Sequence, residues 1–151
     1  MTKLWIAVVL GTVASLAVAA LASGAARETY MVGAKLTAKA EVPAPAGVPG
    51  AAKGGFTGSY VENSKGATLR WRLTFSGLTG SGTAAHIHMG KVGAAGPVIV
   101  PLCGPCKSGQ AGTATISKAV IAAIESGKAY VNVHTAKNAA GEIRGQVKAA
   151  K

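Results

Sequence analysis

Tyr130-Val131-Asn132-Val133-His134-Thr135 and Glu142-Ile143-Arg144-Gly145-Gln146-Val147 are two alternating runs, separated by Lys137-Asn138-Ala139-Ala140-Gly141. Successive side chains of a strand point to opposite faces. Val131 and Val133 therefore share one face, and Tyr130, Asn132 and His134 the other. In the second run Ile143, Gly145 and Val147 oppose Glu142, Arg144 and Gln146. Two such runs about a glycine-containing turn predict a hairpin with one apolar and one polar face. That pairing sets His134 across the ladder from Glu142 or Arg144.

The same pattern recurs upstream. Ala67 to Phe75 is the longest run, with Leu69, Trp71, Leu73 and Phe75 on one face and Arg70, Arg72 and Thr74 on the other. Asn63-Ser64-Lys65-Gly66 joins it to a strand over Gly54 to Tyr60. Lys35 to Glu41 reads as a first strand, ended by the prolines of Val42 to Gly50, with Arg27 to Ala34 as a loosely held lead-in. Thr83 to Met89, Pro97 to Leu102 and Gln110 to Ile116 supply further strands, with turns over Gly77 to Gly82 and Gly90 to Gly96. One helix is expected, with Ser117 as its N-cap, Val120, Ile121 and Ile124 as its apolar face and Gly127 as its stop. About eight short strands at this spacing predict an all-β domain, an antiparallel sandwich or barrel with Greek-key connections. Large side chains are few in the body of the chain, so a core of β-branched and small residues is expected.

The chain has 151 residues, enough for one domain. Residues 1–26 do not fit into it. Lys3, an apolar run from Leu4 to Ala22 and the small residues up to Ala26 read as a secretory signal, cleaved after Ala22 or Ala26, with an uncleaved membrane anchor as the rival reading. The domain then covers 35–149, and the mature protein is expected to be secreted or periplasmic, without a membrane span. Of 16 basic residues the signal removes one, leaving 15 − 5 = +10, and Asp is absent. The lysines are scattered and lack interleaved aromatics, which argues against specific nucleic-acid binding. An anionic cell-envelope polymer is the partner such a surface would attract.

Five pieces of the chain resemble the CHRD domain, a family named from chordin and common in exported bacterial proteins. They are Ala40-Glu41-Val42-Pro43, Phe75-Ser76-Gly77-Leu78, Ala84-Ala85-His86-Ile87-His88, Gly96-Pro97-Val98, and the closing hairpin from Tyr130 to Gln146. The resemblance implies an immunoglobulin-like, Greek-key antiparallel β-sandwich similar to the copper/zinc superoxide dismutase architecture. It implies little about function.

Two constellations carry candidate chemistry. His86 and His88 lie two apart on one strand and so share a face. With His134 they form a three-nitrogen set suited to copper, or to zinc. Met89 points away from that face, so Glu142 is the better candidate for a fourth ligand or a supporting contact. Histidines that merely hydrogen-bond glycine-rich loops are the competing reading. The second constellation is Cys103-Gly104-Pro105-Cys106. The glycines that follow do not form the helix a thioredoxin-type thiolate requires. In an exported protein the pair reads instead as a disulfide clipping a loop, with copper capture by thiols as the alternative. No catalytic residues are nominated. The expected function is an exported binding module with a three-histidine copper or zinc site. The alternative is a structural or adhesive envelope protein using its basic surface, and a metal-dependent oxidoreductase activity stays open.

Overall fold

The computed structural model describes residues 27–150, of which the side chain of Ala150 is not described. The expected signal over 1–26 lies outside the described residues. No helix among those described is long and apolar enough to cross a membrane.

Among the described residues nine strands run in the chain order β1 (Thr29–Thr37), β2 (Lys53–Asn63), β3 (Gly66–Ser76), β4 (Gly82–Met89), β5 (Val98–Cys103), β6 (Ala111–Ser117), β7 (Ala129–Thr135), β8 (Ile143–Gln146) and β9 (Lys148–Ala150). One helix, α1 (Lys118–Glu125), separates β6 from β7. The sheet order is β5-β4-β7-β8-β1-β2-β3-β6, with β9 also on β1, and every pairing is antiparallel. The β4–β7, β8–β1 and β3–β6 neighbours require crossovers. β8 and β1 meet at one pair, Thr37 with Arg144, so two four-stranded halves turn about that junction and close over a shared core.

The core follows the alternation. Leu36, Phe56, Leu69, Leu73, Ile87, Val131, Val133 and Ile143 are fully buried, or within 1% of it. Each such side chain contributes about 1.5–3 kcal/mol through the apolar surface it removes from water. Both expected hairpins form: β2 pairs β3 and β7 pairs β8. In the first, the Asn63 side chain closes the turn, accepting from the Lys65 and Gly66 N–H groups at 2.8 and 3.1 Å.

The first strand differs from expectation. It begins at Thr29, and Ala38–Ala40 form a 3-10 turn. Val32 and Leu36 face the core, and Gly33 and Ala34 between them hid the alternation. What holds Thr29–Ala34 is a backbone ladder to β2, which needs no large side chain. The domain therefore starts earlier than residue 35.

α1 is capped as its sequence indicates. Ser117 Oγ accepts from Val120 N at 3.3 Å, and Val120, Ile121, Ala123 and Ile124 pack down. Ser117→Ala should cost about 1 kcal/mol, the usual value of an N-cap. Urea unfolding would show it as a lowered midpoint at an unchanged slope.

β7 is buried on both faces along its whole length. Val131 and Val133 enter the apolar core. Tyr130, Asn132 and His134 lie on the other face, beneath loops, and there the candidate site is built.

Candidate metal centre

β4 and β7 are neighbours, with His86 opposite Asn132, His88 opposite Tyr130 and Ala84 opposite His134. The alternation of both strands thus brings all three imidazoles to one place. One ligand atom from each lies within 4.8 Å of the others. The ring centroids stand 4.9 Å apart for His86–His134, 5.6 Å for His86–His88 and 6.0 Å for His88–His134.

Two backbone carbonyls fix the tautomers. His88 Nδ1 lies 2.9 Å from Gly96 O, and His134 Nδ1 lies 2.9 Å from Ala139 O. A carbonyl only accepts, so both Nδ1 atoms carry the hydrogen and both Nε2 atoms keep the lone pair. His134 Nε2 then accepts from His86 Nδ1 at 3.1 Å. His88 Nε2 is buried without a partner. An orphaned buried acceptor costs about 1–3 kcal/mol, and a cation is the partner that its lone pair suits. Nitrogens around a tetrahedral or right-angled metal stand roughly 2.8–3.3 Å apart. The His86–His134 pair already has that spacing.

Charge favours the neutral, ligating form. Burial lowers the affinity of His86 for protons, and the neighbouring His134 and His88 lower it further. Burial also lowers His134, with His88 adding to the effect and the bond to Ala139 opposing it.

Behind the histidines stands a layer that the sequence did not announce. The Tyr130 ring stacks on His88, with centroids 4.9 Å apart and planes 10° from parallel. Arg144, reaching from β8 on the far side of β7, lays its guanidinium 3.4 Å from the Tyr130 centroid. Its Nη2 donates to Lys91 O and Ala94 O at 3.0 and 2.9 Å. Arg144 thereby holds the 90–96 loop, whose last carbonyl orients His88. Tyr130 Oη accepts from Gly96 N at 3.2 Å. Gly96 is required there, since a Cβ would stand 1.7 Å from Met89 O. Arg144 is only 1% exposed, against the usual rule for arginine. The missed signal was a polar strand face opposite a glycine-rich loop whose carbonyls needed donors.

Glu142 does not join the histidines. Its fully buried carboxylate accepts from Thr79 N at 2.6 Å, Thr79 Oγ1 at 2.5 Å, Thr135 Oγ1 at 2.6 Å and Asn138 Nδ2 at 3.1 Å. The expected ladder contact with His134 is therefore absent, and Arg144 pairs with Asn132 rather than His134. Both oxygens are engaged, so the carboxylate is a latch between turns and a poor ligand. Cys103, the last residue of β5, and Cys106, in the loop that follows, form a disulfide, and no cysteine joins the cluster.

The family model described as the CHRD domain matches residues 32–147. No curated protein and no solved structure gives a significant match.

Proposed function

The chain belongs to the CHRD domain family, and on that premise we propose that it is an exported metal-binding module, taking copper in preference to zinc through His86, His88 and His134. The observation that carries this reading is the pair of Nδ1–carbonyl bonds, which turn two buried lone pairs toward a third imidazole. Ligating histidines are commonly held in this way, by a second bond from the other ring nitrogen. Three imidazoles without thiolate or carboxylate suit borderline metals, and Cu(II) outranks Zn(II) for such donors. His86 must move its hydrogen from Nδ1 to Nε2, or turn its ring, to complete the set. Its half-exposed position permits either. Export is supported by the leader-like residues 1–26 and by the disulfide, a bond of oxidising compartments. A binding role is favoured over catalysis because Glu142, the acidic residue expected nearest the cluster, is committed to structural hydrogen bonds.

Titration of the purified protein should show uptake of about one equivalent of Cu(II), with three imidazole nitrogens in the equatorial coordination reported by its paramagnetic resonance spectrum. Elemental mass spectrometry of the protein isolated from its native compartment should find the same metal. Absence of uptake at micromolar copper would overturn the reading, as would undiminished uptake by the H86A/H88A/H134A protein.

A further inference from the structure

Antiparallel alternation gives β1, β2, β3 and β6 a second face, turned away from the core. Its rows are continuous across the strands. Met31, Ser59, Arg70 and Thr113 form one, Gly33, Thr57, Arg72 and Ala111 the next, and Lys35, Gly55 and Thr74 a third. Arg70, Arg72, Lys35, Lys53 and the threonines of β3 are exposed.

Three shallow depressions follow β3 in succession. The first is lined by Arg27, Thr68 and Arg70, the second by Thr57, Arg70 and Arg72, and the third by Lys35, Lys53 and Thr74. Together they make a track about 27 Å long, the length of Thr68 to Ser76 at the usual rise. Each depression carries cations, and none is lined by a carboxylate. None of the five acidic groups lines a depression: Glu28, next to Arg27 in the chain, accepts from Tyr30, Glu62 is paired with Lys118, Glu125 accepts from Tyr60, and Glu41 and Glu142 are buried.

We infer that this face is a binding track for an extended, carboxylate-bearing polysaccharide. The guanidinium forks of Arg70 and Arg72, about 6.8 Å apart along the strand, suit successive carboxylates. The glycines of β1 and β2 leave a low floor, and the serine and threonine hydroxyls can exchange hydrogen bonds with sugar hydroxyls. Trp71 and Leu73 point inward, so the face offers no aromatic platform on which bases could stack. The track is separate from the histidines and does not depend on the metal.

Affinity for polygalacturonate, measured by calorimetry with dextran and single-stranded DNA as comparisons, tests the inference. R70Q/R72Q should weaken binding by at least about tenfold. K35Q/K53Q, an independent pair on the same track that leaves the Arg72–Gly109 hydrogen bond intact, should also weaken it. K128Q/K137Q, which removes the same charge elsewhere, should change it by less than about twofold, and H86A/H88A/H134A should leave it unchanged. Equal losses from the three lysine and arginine pairs would reduce the effect to diffuse charge and overturn the track. So would failure to bind polygalacturonate, binding of dextran alone, or tighter binding of single-stranded DNA.

Discussion

Replacing His134 by alanine is expected to cut copper affinity by more than about a hundredfold, beyond the usual ceiling for changes behind the ligands. His134 is the residue whose loss disperses the cluster. Its Nε2 holds His86 at 3.1 Å, and its Nδ1 is fixed by Ala139 O. Removing it leaves His86 and His88 on one strand, with ring centroids 5.6 Å apart and no third nitrogen. The thermal readout is equally direct. A ligand that binds only the folded state stabilises it by mass action, by about 2.7 kcal/mol at a hundredfold excess over Kd, and so raises Tm. That copper-dependent rise should be present in the parent protein and missing in H134A. Arg144→Met should have a smaller effect, up to about tenfold to a hundredfold. It removes no ligand, but it frees Lys91 O and Ala94 O and with them the loop that orients His88.

The largest loss of stability should come from Glu142→Ala, at about 3–5 kcal/mol. Four donors converge on this carboxylate. Hydrogen bonds to a charged group are worth about 1.5–3 kcal/mol each and are only partly additive when shared. The substitution would strand Thr79, Thr135 and Asn138 together and untie the turn before β4 from the turn after β7. A pH series identifies the mechanism. Burial alone would raise the Glu142 carboxyl, but the bonds from Thr135, Thr79 and Asn138 outweigh it and hold it below its ordinary value of 4.5. A carboxyl lowered in the folded state stabilises fully above the ordinary value, and the contribution is lost as pH falls through the lower, folded value. The stability difference between parent and E142A should therefore be constant near neutrality and shrink below pH 4.5. Glu41 is shifted the other way, by burial, but is common to both proteins and cancels from the difference. A difference that persisted unchanged into acid would show that packing, not the charged bonds, is what Glu142 supplies.

These two residues also mark how far the sequence could be read. The histidine cluster was legible because it depends only on strand parity and on β4 lying beside β7. The capped helix and both hairpins were legible from local turn chemistry. The role of Glu142 was not. Parity places it near His134, but its side chain turns to Thr79, 63 residues away in the chain. Such a contact depends on the crossover from β3 to β4, which no local pattern encodes. Arg144 was hidden for a related reason. An alternating Glu-x-Arg-x-Gln reads as a solvated face until the loops that cover β7 are in place. The start of β1 was missed because Gly33 and Ala34 carry no hydropathic signal.

The position of β1 has a consequence for how the chain reaches its folded form. One of its edges is zipped to β2, its neighbour in sequence, whereas the other waits for β8 and β9. A nascent chain lacking its last two strands would present β1 as an open edge, and the turn between the two halves would have nothing to close against. Closure must therefore follow synthesis of nearly the whole domain, and the search for partners so distant in sequence is slow.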